Sequence, residues 1–576
     1  VDAGTSTLSA SSPITAGGTG STITVTAKDQ YGNPIPSIAG ANIVISSTGT
    51  NNNFTQPTAA TSVSGVTTGT LASTKSETKT VSVTIDPDGA GGNAPVAVTQ
   101  TAAVVVNAST VVDAGTSTIS ATSPITAGGA GSTITVTAKD QYSNVIPGIA
   151  AVNVVLASTG TSNTVTQPSA ATNSSGVTTG TVASTKAESK TVSVTISGTP
   201  ITATATVVVN PAAVDAGTST LSASSPITAG GAGSTITVTA KDQYNNVIPG
   251  ITGANVVLAS TGTSNTVTQP SATTNSSGVT TGTVASTKAE SKTISVTISG
   301  TPITATATVV VNPAAVDAGT SLISATSPVN LGANSTITVT AKDQYNNVIS
   351  GIAAANVVLA STGTGNTITQ PSAATNSSGV TTGTVSSTFP EAKTVSVTIS
   401  STAITATATV DANGIKITAP TTGQTPGWAA NDQDRIITWA ANGMSNKIEI
   451  DYYNGSSWQV VNNNGAGGDA IYASKTSPQL WDIPSSAVIF SLYKIRIVDA
   501  GTDGIWQTGL LNNSAVGDDI VVESSTFSVS GRITLAAPTG PNVKWSRAVA
   551  QNISWSKIGT FNTRIRYSTN SGGAWS

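Results

Sequence analysis

The sequence predicts an all-β protein, a tandem array of small two-sheet sandwiches strung out as an extended rod. Three observations predict it. Marker strings recur with a single period. Apolar residues alternate with Thr and Ser at period two. No run combines helical periodicity with helix caps. The period is read first, because internal repeats decide the architecture before any single element does. VDAG starts at Val1, Val112, Val214 and Val316. KDQY occupies Lys28–Tyr31, Lys139–Tyr142, Lys241–Tyr244 and Lys342–Tyr345, with spacings of 111, 102 and 101 residues. SGVTTGT recurs around Gly65, Gly176, Gly278 and Gly379. Residues 131–210 and 233–312 differ at only six positions, Ser143 against Asn245 among them, which marks duplication within a gene. The markers delimit four repeats: 1–111, 112–213, 214–315 and 316–412.

Within a repeat, Ile23, Val25 and Ala27 alternate with Thr, and Val81, Val83 and Ile85 with Thr and Ser. The phase returns at Val192/Val194/Ile196 and Val395/Val397/Ile399. Such alternation reads as strands with one buried and one solvated face, and Thr and Val favour strands. Turn signals separate the runs at Gly17–Gly18, Gly32–Asn33–Pro34 and Ser64–Gly65. About seven short strands per 100 residues is the pattern of an immunoglobulin-like sandwich. The junctions VVVNASTVVDAG and VVVNPAAVDAG leave almost no linker, and Pro211 and Pro313 stiffen them.

The motifs TVTAKDQYGNPI (Thr24–Ile35), SGVTTGTLAST (Ser64–Thr74) and KTVSVTI (Lys79–Ile85) resemble the bacterial immunoglobulin-like domains of the invasin and intimin type. The resemblance covers residues 1 to about 410, four times over. It implies spacer domains of outer-surface adhesins, in which binding belongs to a distinct tip domain. Repeats two to four depart from the family's GNP, with Ser143–Asn144–Val145, Asn245–Asn246–Val247 and Asn346–Asn347–Val348, a change expected to alter a turn and not the fold.

The composition breaks near Asp411. All eight Trp and every Arg lie beyond it. A second repeat family begins there. KITAP (Lys416–Pro420) answers RITLAAP (Arg532–Pro538), Ile437–Trp439 answers Ile553–Trp555, and Trp458 answers Trp575. This predicts one Trp-containing domain over 413–530 and a partial second copy over 531–576. With ITW, IEIDYYNGSSW, LWDIP and YKIRIVDA, the region resembles the immunoglobulin-like domain of yeast cell-wall Ser/Thr-rich surface proteins and of secreted bacterial proteins. That likeness implies a sandwich and no activity. Half a sandwich leaves strand edges bare, so the last copy is expected to continue past Ser576 or to be completed by another chain.

Composition narrows function. The 576 residues include no Cys and no His, 9% are charged, and the net charge is −3. Zinc sites, Ser-His-Asp triads and thiol nucleophiles are excluded. Nucleic-acid binding needs clustered Lys and Arg, which the chain lacks. No apolar run reaches the roughly 18–20 residues of a membrane span. No enzyme is expected: glycoside hydrolysis by two carboxylates would have to draw on Glu449, Asp451, Asp482 or Glu523, and nothing places two of them across a cleft.

The remaining candidates each have a plainer reading. Tyr31, Tyr142, Tyr244 and Tyr345, the only Tyr of the repeats, are expected to anchor each core beside a turn, against a periodic ladder for binding. The Trp residues form either a core or a sugar-stacking platform, and Trp506, beside the Gly501–Gly504 stretch, is the carbohydrate candidate. STNSGGAW (Ser568–Trp575) looks like the Asp-box hairpin of sialidases, which is not catalytic. Calcium, a hard cation wanting several oxygens, has Asp86 with Asp88 and Asp499 with Asp503 as candidates, with solvated turn carboxylates as the alternative. Asp432 with Asp434 and Asp518 with Asp519 are further acidic pairs. The expected function is a non-catalytic stalk or fibre of an extracellular bacterial surface protein of adhesin type. Its partners would be neighbouring copies or other surface proteins. The alternatives are a glycan or cell-wall-polymer binder through the Trp-rich part, and a filament subunit whose last domain is completed by a neighbouring chain.

Overall fold

In the computed structural model, residues 1–423, 427–443, 448–461, 477–499, 520–539, 543 and 549–566 are described. All regular structure among them is β, apart from four three-residue 3-10 turns. In the first repeat the strands are β1 (Thr7–Ala10), β2 (Ile14–Thr15), β3 (Ser21–Thr26), β4 (Ile43–Ser47), β5 (Asn52–Thr55), β6 (Val66–Ser73), β7 (Thr78–Ile85), β8 (Val96–Ala97) and β9 (Ala102–Asn107). One sheet has the order β1-β3-β6-β5 and the other β2-β9-β7-β4, with β8 hydrogen-bonded to β7. Neighbours are antiparallel except β2 and β9, which run parallel from Ile14↔Val106. The same two sheets recur in repeats 2 and 3, and in repeat 4 the first recurs while the second continues into the next sandwich as a seven-stranded sheet.

The alternation expected from the sequence is realised. Ile23, Val25 and Ala27 on one sheet face Val81, Val83 and Ile85 on the other, all fully buried, while the Thr between them are not. The core of each repeat is aliphatic, built from Val, Ile, Leu and Ala. The phase of β7 has a second consequence. Lys79 lies two residues before Val81, so its side chain also points inward, and it is wholly buried. The same is true of Lys190, Lys292 and Lys393. An unpaired buried ammonium would cost several kcal/mol, so it must be met. Lys190 Nζ donates to the Thr161 carbonyl and to Glu188 Oε1, both at 2.6 Å. The Lys190 hydrogen bond, and then the Thr161 amide, hold the Glu188 carboxyl below its usual value.

The fourth repeat is joined to its successor differently. A single strand, Ala408–Ala419, pairs at its start with Ala392–Ile399 and at its end with Arg435–Asn442. It crosses the expected 412/413 division without a break. Beyond it a second sandwich has an aromatic core. Trp428 meets Trp481 and Phe527 edge-on at 5.6 and 5.1 Å, and Tyr493 donates to the Val488 carbonyl at 2.7 Å. Arg532–Ala537 and Ser554–Ile558 form a two-stranded antiparallel pair whose Ile533 and Leu535 are about half exposed.

Each of the four repeats encloses a hydrophobic core of its own, and the Trp-containing sandwich a fifth.

Candidate functional site

The constellation the fold builds most insistently lies between repeats. It starts from a tight turn. Asp140 Oδ1 accepts the Tyr142 and Asn144 amides at 2.9 Å, a carboxylate closing its own turn. Ser143 between them has φ +66°, and Gly32, Asn245 and Asn346 hold the same left-handed place. The departure from GNP thus leaves the turn conformation unchanged. Asp140 Oδ2 accepts the Ser109 amide of the junction at 3.0 Å and Asn144 Nδ2 at 2.9 Å. Asn144 then reaches back into the preceding repeat. Its Nδ2 donates to the Thr74 carbonyl at 2.9 Å, and its Oδ1 accepts the Ser76 amide at 2.9 Å. Asp140 and Asn144 are buried.

Tyr142 completes the joint. Its ring lies on Gly17 of the preceding repeat, so closely that a Cβ there would fall 2.3 Å from the phenol oxygen. Gly17 also has φ +70°, so glycine is required twice over. Tyr244 lies on Gly128 and Tyr345 on Gly230 in the same way. Asn246 bridges the Thr185 carbonyl and the Ala187 amide, and Asn347 the Thr287 carbonyl and the Ala289 amide. At Asp242 burial raises the carboxyl pKa, but hydrogen bonds from the Asn246 side chain and from the Ala212, Asn246 and Tyr244 amides outweigh it and hold the group low. Asp343 behaves alike.

This corrects the sequence reading of the tyrosines. They are not core anchors: Tyr142, Tyr244 and Tyr345 are 37–39% exposed and Tyr31 is 80% exposed. A ring flanked by turn-forming Asp, Gln and Asn has no inward strand position from which to enter its own core. The useful signal was the fixed D-x-Y-x-N pattern, in which every polar side chain is committed to the turn or to the neighbour. The other period marker also serves this end of the sandwich. Asp113 of VDAG caps the Gly115 and Thr116 amides, and its own amide donates to the Lys139 carbonyl.

The ligand candidates fall elsewhere. Asp86 accepts the Gly89 amide and Asp88 the Asn93 amide and side chain, so both close their loop. Asp499 is buried on the strand Phe490–Asp499, while Asp503 and Trp506 lie outside the described residues. So do Trp545, Trp575, Asp518, Asp519 and all of Ser568–Trp575. No cluster of three or more potential metal-ligating side chains occurs among the described residues. Trp428, Trp439 and Trp481 are core residues. The Trp458 ring lies 5.4 Å from that of Tyr453, tilted by 51°, and Arg496 covers it at 4.4 Å. Of the acidic residues considered for glycoside cleavage, Asp451 pairs with Arg496 and Glu523 with Lys494, and Glu449 is buried. Asp482 accepts the Asp434 amide, and Asp432 binds Arg435 and Arg532.

Fold and joint together define a class, a tandem array of immunoglobulin-like sandwiches in which each repeat clasps the one before. Residues 215–314 match the family model "Invasin, domain 3". The invasin-type likeness carried by KDQY and SGVTTGT is shown by that match. Among solved structures, the chain is similar to FdeC, an Escherichia coli adhesin, at 22% identity and TM-score 0.39, covering 53% of this chain and 98% of that one. It is similar to invasin, a bacterial integrin-binding protein, at 20% and 0.37, covering 72% and 80%. A third is InvD of Yersinia pseudotuberculosis, at 21% and 0.34, covering 53% and 97%. No curated relative matches the sequence. No helix among the described residues is long and apolar enough to cross a membrane.

Proposed function

We propose that the chain is a non-catalytic stalk of an extracellular bacterial surface protein of adhesin type, divided at 111/112, 213/214, 315/316, 412/413 and 530/531. It holds a binding element away from the cell and carries tension along its length. The observation that supports this most is the joint made three times over with the same residues. Repeats linked only for flexibility would not commit a buried Asp, a buried Asn and a Tyr at every junction. A quasi-one-dimensional array, each unit touching its neighbours, is what a spacer requires. The exposed, weakly charged Thr and Ser faces suit a surface that binds little.

Small-angle scattering of the purified chain tests it. At about 3.3 Å per residue, a ten-residue strand gives roughly 33 Å per sandwich. Five in line give a radius of gyration of about 50 Å, against about 25 Å for a compact 576-residue globule. A value near the lower figure would end the stalk reading.

A further inference from the structure

Each repeat has an edge strand without the usual guards. In repeat 1 it is β4, which pairs with β7 on one side and, among the described residues, with no strand on the other. Its sequence is IVISS, and the corresponding strands Val154–Ser158, Val256–Ser260 and Val357–Ser361 all read VVLAS. None of them holds a charged residue or a proline. Such an edge is a template for a further strand, and proteins commonly blunt it with Lys, Pro or a bulge. Val44, Val155, Val257 and Val358 stand half exposed on the outer face of this strand. A second copy of the chain brings the same apolar strands with it.

The outward backbone groups can be assigned. The Asp86 amide donates to the Asn42 carbonyl and the Thr48 amide to the Thr80 carbonyl. By alternation Val44 and Ser46 also bond to β7, while Ile43, Ile45 and Ser47 turn their amides and carbonyls away from it. The Ile43 amide is taken by the Gly40 carbonyl. Ile45, at the centre, is met by a side chain. Its amide donates to Gln56 Oε1 at 2.7 Å, and its carbonyl accepts from Gln56 Nε2 at 2.8 Å. One carboxamide thus makes both bonds that a residue of an added strand would make. The same pair forms at Leu156 with Gln167, Leu258 with Gln269 and Leu359 with Gln370, at 2.7 and 2.9 Å each time.

The clip is pre-set by its neighbours. Each Gln precedes a buried proline (Pro57, Pro168, Pro270 or Pro371), which keeps the Gln backbone extended. Gly69 lets the segment lie close: a Cβ there would fall 2.6 Å from Ile45 Cδ1 and 2.7 Å from the Thr55 carbonyl oxygen. Gly180, Gly282 and Gly383 do the same in the other repeats. Gln167, Gln269 and Gln370 are themselves exposed, so they fill no core.

The geometry points to a guarding role. Gln56, Gln167, Gln269 and Gln370 occupy the open edge of each repeat and keep the like strand of a second copy of this chain from adding there. The role concerns side-by-side contact between chains and stands whether or not the array is a stalk.

The test replaces all four glutamines by methionine in the full chain, which keeps side-chain length and removes both bonds. In sedimentation the parent should run as a monomer. The fourfold variant should associate as its concentration rises. Gln269→Met alone opens one edge and should stop at about twice the parent mass, because one edge accepts one strand. Adding Val44→Lys, Val155→Lys, Val257→Lys and Val358→Lys to the fourfold variant charges the opened strands and should return it to the monomer. A fourfold variant that is folded and monomeric at every concentration the parent tolerates would overturn the inference. So would association that the lysines fail to reverse, since the contact would then lie elsewhere, and so would association of the parent that the same lysines abolish. If circular dichroism shows the fourfold variant unfolded, Gln269→Met with and without Val257→Lys decides in the same way. A compact scattering profile of the parent, with the methionine variants still associating, would end the stalk reading alone.

Discussion

Two kinds of joint stand in this one chain. Between repeats 1 and 4 the sandwiches meet through side chains: a Tyr on a Gly, and an Asn bridging a carbonyl and an amide. Between repeat 4 and the Trp-containing sandwich they meet through backbone, one strand running from Ala408 to Ala419 across both. The cores differ in parallel, aliphatic in the repeats and aromatic beyond Asp411. A side-chain clasp can be copied, because repeats 2 and 3 each carry both halves. A shared strand cannot, because each end belongs to a different sheet. The clasp suits a part of the molecule that lengthens by duplication, and the strand suits the place where duplication stops.

The cores give the largest expected effect. Trp481 is fully buried among Trp428, Tyr452 and Ile483 in a core that the repeats do not share. Trp481→Ala should cost about 3–5 kcal/mol, which for one domain lowers its melting temperature by more than about 10 °C. Tryptophan fluorescence sees only the part of the chain beyond Asp411, five of whose eight Trp lie within 413–530, and none of the four repeats. That transition should move alone, leaving the far-ultraviolet transition of the repeats in place. A common shift of both would mean that the shared strand couples them into one unfolding unit and that the two regions are not separate.

A smaller effect separates the joints. Asn246→Ala removes the bonds to the Thr185 carbonyl and the Ala187 amide, at about 1–2 kcal/mol. The lack of native cysteine lets spin labels be placed freely. Labels at exposed Thr164→Cys and Thr266→Cys should show a broadened distance distribution in this variant. A pair at Thr367→Cys and Gln459→Cys, across the strand joint, should not change. Equal broadening at both would remove the distinction.

How much of this was legible depends on the information that period two encodes. Alternation gives the inward face of a strand, so Ile23, Val25 and Ala27 were readable as core before any coordinates. The same rule applied to Lys79, two residues before Val81, also gives the inward face. It went unread because a lysine is not expected there, and because the partner carbonyl of Thr50 lies on another loop. The tyrosines failed for a related reason. Their partners, Gly17, Gly128 and Gly230, lie more than a hundred residues upstream in another repeat, and no local pattern points across that gap. The strand joint was hidden because a sequence boundary at a composition break resembles a linker, whereas VDANGIKITA continues in extended conformation.

The last distinction is in pH. Asp242 and Asp343 hold their joints as carboxylates accepting from several amides, and both titrate below the ordinary value of 3.8 despite burial. A group whose folded value is depressed contributes stability that is complete above its unfolded value and is lost as pH falls through the folded one. The clasp between repeats 2 and 3 should therefore be intact above about pH 5 and loosen as the pH drops below 3.8. The label pair at 164 and 266 should broaden there, while the strand joint keeps its distribution. Acid also acts inside each repeat, because Glu188 and Glu290 are held low by their buried lysines. Circular dichroism must show the sheets intact at the pH where broadening begins. Asp242→Asn keeps one acceptor oxygen and cannot titrate, so its distribution should be partly broadened at neutral pH and unchanged by acid until the repeats themselves unfold. If that variant responds to acid as the parent does, the carboxylate is not what holds the clasp.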